Sequence, residues 1–270
     1  LGAGVMAGAA GLEEGAVVLL NNDATVRDGF LDALLAPLGE AVGATTALIL
    51  LTGRWHPPPP PTRSSSSPAT AAAGRASPKQ SAAGRSSSTP PATRSTMRAT
   101  GMIRSWLDPA DSPLPAPEVF GLCGGACAID ADAWRAVGGV RTDLFMYYED
   151  TDLSYKLHEA GYSVRFVREA VVDHEHAASS DATSPMFTRV NARNRLIVAA
   201  EHAAWSVVAN ALARSIVRAA REGFRGPAAH GIAQGIAAIP AALRRRHARR
   251  TRRGGAHFTV IPCHKGNAGK

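Results

Sequence analysis

Three carboxylates crowd into four positions at Glu149-Asp150-Thr151-Asp152, directly after Tyr147 and Tyr148. Like charges a few Å apart repel and raise one another's pKa, so such a cluster persists where a metal, a proton transfer or a helix start makes use of it. Two further stretches carry related chemistry. Asn21-Asn22-Asp23 follows the apolar run Ala16-Val-Val-Leu-Leu20, and His174-Glu175-His176 follows Ala170-Val-Val-Asp173. Hard oxygen donors with one imidazole suit Mn²⁺ or Mg²⁺, whereas the spacing of Cys123 and Cys127 is not that of a structural zinc site. Each motif alone also has an ordinary reading. Acids favour the positive end of a helix dipole, an acid after a strand caps the next helix, and a single histidine more often serves as a hydrogen-bonded structural residue than as a ligand.

The elements that must position these groups read as α/β. The run 16–20 is a buried strand, Asp28 caps a helix over 29–38 with Phe30, Leu31, Leu34, Leu35 and Leu38 on its apolar side, and 44–51 is the next strand. Residues 119–129 read as one apolar strand with Gly124-Gly125 at its centre, where either a ligand or a neighbouring strand approaches the backbone closely. Asp130 caps a helix to Val137, and Gly138-Gly139 turns the chain. The acidic cluster then opens a helix that buries Leu153 and Leu157 and stops at Gly161. Residues 162–167 alternate as a strand, and 185–224 are helical with Arg193-Asn194-Arg195 near the start. Ligands of open α/β sheets gather at the carboxyl ends of strands, where all three motifs fall or lie adjacent.

Charge sorts the 270 residues further. The net charge of +8 comes from two patches: residues 57–105 hold seven basic and no acidic side chains, and 241–270 hold nine basic and none acidic, which leaves −8 on the rest. A nucleic-acid-binding domain spreads Lys and Arg over a folded face, so no nucleic-acid partner is expected. The 57–105 stretch, with five consecutive prolines from Pro57, lacks the apolar residues a core needs and reads as a disordered insertion or as an out-of-frame segment. The organisation expected is therefore 1–56, the low-complexity 57–105, 106–200, and a helical 201–270 with a frayed basic tail. Three cysteines (Cys123, Cys127, Cys263) form no even framework, no basic leader opens the chain, and Glu201 and His202 interrupt its most apolar stretch. A cytoplasmic protein is expected, with the tail from Arg244 to Arg253 able to touch anionic lipid at the inner face of the cell membrane.

Taken together, these stretches resemble the family 2 glycosyltransferases of the GT-A fold, in particular the bacterial branch similar to rhamnosyltransferases. The likeness covers residues 1–53 and 106–200. Its carriers are Val17-Val-Leu-Leu-Asn-Asn-Asp-Ala-Thr25, Gly124-Gly-Ala-Cys-Ala-Ile129, Val137-Gly-Gly-Val140, Phe145-Met-Tyr-Tyr-Glu-Asp-Thr-Asp-Leu153, Ala160-Gly-Tyr162, Ala170-Val-Val-Asp-His174 and Arg193-Asn194. The resemblance implies a mixed sheet flanked by helices and a metal-dependent, inverting transfer from a nucleotide-sugar donor to a glycan or lipid-linked acceptor. Such enzymes serve cell-envelope polysaccharide assembly. Asp23 matches the last acid of the D-x-D metal motif, with Asn21 in place of the first, and His174 matches a third metal contact. Asp150, in its pair with Glu149, matches the general base. Gly124, Gly125, Asp152 and Arg193 fall among the substrate-binding positions, Arg193 facing the leaving diphosphate.

One departure matters. Family members begin with a strand and loop that hold the nucleotide, and this chain starts after them. An inactive fragment that keeps the fold, and a basic-tailed membrane adaptor, are the competing readings.

Overall fold

The computed structural model describes residues 1–52, 114, 116–175 and 184–252, together with the backbone of 96–97 and 103–104. In chain order the elements are α1 (Gly2–Gly8), β1 (Ala16–Leu20), β2 (Ala24–Val26), α2 (Phe30–Leu35), β3 (Val42–Thr52), β4 (Thr96–Met97), β5 (Ile103–Arg104), β6 (Glu118–Val119), β7 (Ala126–Asp130), α3 (Ala131–Val137), α4 (Glu149–Glu159), β8 (Ser163–Glu175), α5 (Pro185–His202), α6 (Trp205–Arg221) and α7 (Gly226–Arg252). They fall into two units, Leu1–Phe187 and Thr188–Lys270. The division lies in the first turn of α5.

The first unit is built on a mixed sheet with strand order β1-β7-β3-β8-β2, as the sequence leads one to expect for an α/β chain. β3 and β8 run parallel at its centre, β7 is antiparallel to both β1 and β3, and β8 takes β6 along its first half and β2 along its second. Side chains alternate along β7 and so feed two cores. Cys127 and Ile129 join Trp134, Leu153, Leu157 and Phe166 on the face covered by α3 and α4, while Ala126 and Ala128 join Phe30, Leu34 and Val172 under α2. Helices thus flank the sheet on both faces. The Gly/Ala-rich start forms α1, whose Val5 and Met6 pack against the first of these cores.

Several elements differ from the sequence reading. Asp28 does not cap α2: the cap position is Gly29 at φ +73, a conformation glycine adopts without penalty, and no side chain caps the helix. The apolar stretch 119–129 is two strands, because Cys123 O accepts the amide of Ala126 in a turn that carries both glycines. The turn's amides bond sideways instead of into a ladder, Cys123 N to Thr46 Oγ1 at 3.0 Å and Leu122 N to Ser154 Oγ at 3.2 Å. The cap at Asp130 stands, its carboxylate accepting the amides of Asp132 and Ala133. Strand 162–167 extends as β8 to Glu175, with a register shift between Ala47 and Leu48 of its partner.

In the second unit, described by itself, the single helix expected over 185–224 is broken at Ala203. Arg246 Nη1 donates to the carbonyls of Ala200 and Ala203, which satisfies acceptors that the end of α5 leaves open. The basic tail is not frayed along its first part. It continues α7 to Arg252, and Arg245 and Arg249 each lie 2.7 Å from the fully buried carboxylate of Glu201. No helix among the described residues is long and apolar enough to cross a membrane. Most of 57–105, and all of 253–270, lie outside the described residues; within the former, β4 pairs with β5.

Candidate active site

The link Asn21-Asn22-Asp23 joins the two edge strands of the sheet, β1 and β2, and so passes across one end of it. Two backbone contacts fix its ends. Asn21 N donates to Gly125 O at 2.9 Å, and Ala24 sits opposite His174 in the β2–β8 register. Strand pairing alone therefore carries Asp23 and Asn21 to the end of β8. His174 Nε2 is 2.8 Å from Asp23 Oδ1 and 3.2 Å from the Asn21 amide nitrogen. The orientation of an Asn amide is an assignment, so its oxygen fits the same place.

This donor set fits a hard divalent cation. Octahedral ligands at roughly 2.1 Å from Mg²⁺ or Mn²⁺ stand about 3 Å from one another, the spacing found here. The chemistry fits also: one carboxylate, one imidazole and one amide oxygen suit Mn²⁺, and the single carboxylate makes for a weak site. Asp173, one residue earlier, points elsewhere and holds Arg27 through two 2.8 Å hydrogen bonds.

The acids of α4 approach from the other side of the turn. Asp150 Oδ2 accepts the amide of Gly124 at 3.3 Å, and Oδ1 accepts from the Thr151 amide at 2.7 Å. Ser154 donates to Asp150 O at 2.7 Å while accepting from Leu122, tying the helix start to the glycine turn. The approach to α4 is strained. Phe145, Tyr147 and Tyr148 have φ of 71°, 66° and 73°, a left-handed conformation that costs non-glycine residues on the order of 1 kcal/mol each and clusters at functional sites. Tyr148 occupies the cap position and caps with its backbone only.

Burial pushes the Asp150 carboxyl up from its ordinary value, against the lowering effect of the Gly124 and Thr151 hydrogen bonds. Burial, and then the neighbouring Asp150 charge, push Glu149 up to about 7, and its Oε2 has no hydrogen-bond partner among the described residues. Between 4.5 and about 7 the folded state then holds a proton on Glu149 that the unfolded state has released, so stability falls as pH rises through that window. Glu149→Gln is expected to flatten this fall, by on the order of 2 to 3 kcal/mol, in urea melts taken between pH 5 and pH 8. An unchanged pH slope in the variant would show that Glu149 ionises normally.

Asp150 and Asp152 stand two residues apart on a helix, about 200° around its axis, and so face opposite ways. Asp152 is fully buried between Arg141 Nη1 at 3.4 Å and Lys156 Nζ at 2.9 Å. The side chain is an internal counter-ion that anchors α4, in keeping with the helix-start reading of this acid. Gly124 and Gly125 lie between Asp150 and Asn21. A Cβ added at Gly124 would come 3.6 Å from Asp150 Cβ, and one at Gly125 would come 3.4 Å from Ile49 Cδ1 and 3.5 Å from Asn21 Nδ2. These are ordinary contacts and neither residue has a positive φ, so the packing of the protein itself does not demand glycine at either place.

Arg193 belongs to the second unit, on α5. His176 and the Glu175 side chain lie outside the described residues. Thr46 and Ser154, which hold the glycine turn, escape a reading by motif because a buried hydroxyl in a strand or helix has no distinguishing spacing. Ser154 could have been noticed four residues after Asp150, the spacing that brings two side chains to one helix face.

No protein-family model matches the chain, and no curated protein matches it. Among solved structures it is similar to the crystal structure of GalNAc-T7 with UDP, GalNAc and Mn2+, at 15% identity and a TM-score of 0.44. The match covers 74% of this chain and 34% of that one, so this chain spans about a third of the length of GalNAc-T7. A likeness this slight carries no argument about chemistry, which rests on the residues themselves.

Proposed function

We propose that the protein is a metal-dependent glycosyltransferase that moves a sugar, with inversion, from a nucleotide-sugar donor to a hydroxyl of a glycan or lipid-linked acceptor. The observation that carries this reading is the convergence of a hard-cation donor set (Asn21, Asp23, His174) and a half-buried carboxylate (Asp150) on the two sides of Gly124-Gly125.

The roles follow from the chemistry. Asp150 takes the proton from the acceptor hydroxyl. The freed oxygen attacks the anomeric carbon from the face opposite the diphosphate, whose bond to that carbon breaks, and the diphosphate leaves with the electron pair. No covalent enzyme intermediate is needed. The raised pKa of Asp150 brings its basicity closer to that of the proton it must accept, which is how a carboxylate becomes an efficient base. A divalent cation held by Asp23, His174 and Asn21 would supply positive charge against the departing diphosphate. The sequence resemblance suggests cell-envelope polysaccharide assembly on the cytoplasmic side as the setting of this activity.

A thermal-shift titration of nucleotide sugars, with Mn²⁺ and with excess chelator, tests this reading. A rise in melting temperature that requires Mn²⁺ is expected, since a ligand that binds only the folded state at 100 times its Kd adds about 2.7 kcal/mol of stability. No shift at millimolar ligand would favour a fold that binds no donor.

A further inference from the structure

We propose that the outward face of α6 docks on an anionic lipid surface. At about 100° of rotation per residue, the side chains of α6 sort into three arcs. Ser215 and Ala219 are buried and mark the arc packed against the rest of the second unit. Trp205, Ser206, Ala209, Ala213, Ile216, Val217 and Ala220 fall in an arc of about 120° that faces solvent. Within it the large side chains stand well out, Trp205 at 59% exposure, Ile216 at 46% and Val217 at 49%, and Phe224, in the turn after the helix, is 68% exposed. Arg214, Arg218 and Arg221, all exposed, follow in an arc of about 60° beside it, and the exposed Arg225 comes after the turn.

An apolar stripe of this length with a row of arginines along its flank matches the interface between acyl chains and anionic headgroups. Water is a poor partner for it. The only acid from 205 to 225 is Glu222, which pairs with Arg218 at 3.0 Å, so no acid of this segment neutralises Arg214, Arg221 or Arg225. Trp205 opens the stripe and Phe224 stands in the turn just past its end, aromatic rings of the kind that settle at headgroup level. Phe224 is held out in a left-handed conformation at φ 56°, a cost the fold bears without gaining any burial. A bilayer is favoured over a protein groove because the stripe between the rings is shallow, with Ala209, Ala213 and Ala220 in place of the large i, i+4, i+7 anchors a groove selects. Since no described helix can cross a membrane, the contact is one of lying in the interface.

This surface meets the basic stretch after residue 241 at one end, where Arg246 stacks 4.6 Å from the Trp205 ring, but Arg245, Arg246 and Arg249 are engaged inside the second unit. The test is co-sedimentation of the full chain with phosphatidylcholine vesicles with and without about 30 mol% phosphatidylserine. The wild type is expected to bind only the anionic vesicles, and Val217→Asp with Phe224→Asp to lower that binding by about tenfold or more while circular dichroism melting stays that of the wild type. Should that variant fail to fold, Arg214→Glu with Arg221→Glu is expected to give the same loss. Undiminished binding by the variants would place the contact in the later basic stretch and overturn the proposal. So would absence of binding by the wild type, or a dimer in solution that the same substitutions dissolve.

Discussion

Asp150→Asn is expected to lower sugar transfer by about a thousandfold while leaving the melting temperature nearly unchanged. A positioned general base contributes roughly 10²- to 10⁴-fold to a rate, and the amide cannot take the proton. The fold should tolerate the change for two reasons. Asn keeps an oxygen able to accept from the Thr151 amide at 2.7 Å, so the first turn of α4 retains its local hydrogen bond. Burial already works against the Asp150 charge, so replacing it with a neutral isostere relieves a penalty. Turnover of a nucleotide sugar that supports Mn²⁺-dependent binding, measured for wild type and variant, reads the effect directly. Retained turnover in a folded variant would remove Asp150 from the chemistry and leave it a clamp on the glycine turn.

The neighbouring substitution should behave in the opposite way. Asp152→Ala is expected to destabilise the first unit by about 3 kcal/mol, at the low end of the range for breaking a buried ion pair. The carboxylate is fully buried, and its loss leaves Arg141 and Lys156 beneath α4 without their shared counter-ion. The cost stays at the low end because each cation keeps another partner. Arg141 pairs with Asp143 at 2.6 Å, and Lys156 donates to Gly139 O at 3.1 Å. Urea denaturation measures the loss. A stable variant with impaired turnover would return Asp152 to the substrate site.

These two acids show what the sequence could and could not disclose. That Glu149-Asp150-Thr151-Asp152 opens a helix follows from dipole preference, the Leu153–Leu157 stripe and Gly161 at φ 93, and α4 has this form. Which acid faces a ligand does not follow, because all three lie in the first turn and the choice depends on Gly124 on one side and Arg141 on the other. A strand was legible at 16–20 as an apolar run with a polar end, but its burial was not: β1 lies at the sheet edge, with Val18 and Leu20 exposed. The turn inside 119–129 was hidden because Leu122-Cys123 is as apolar as the strand that follows, and the hydroxyls that replace its ladder come from Thr46 and Ser154. The meeting of Asn21, Asp23 and His174 was suggested only by resemblance; the β2–β8 register is what brings them together across about 150 residues of chain. The ordered part of the basic tail was missed for a related reason, since its partner, Glu201, looked from the sequence like an interruption of an apolar helix.

The central claim is that one end of this sheet holds a divalent cation beside a separate proton acceptor. Mn²⁺ titration of the folded chain without nucleotide, followed by the loss of the free-ion paramagnetic resonance signal, tests it most directly. One equivalent should bind to the wild type and to Asp150→Asn, and that equivalent should be lost in Asp23→Ala and in His174→Ala, each with its fold intact. Mn²⁺ binding that survives both of those substitutions would contradict the account.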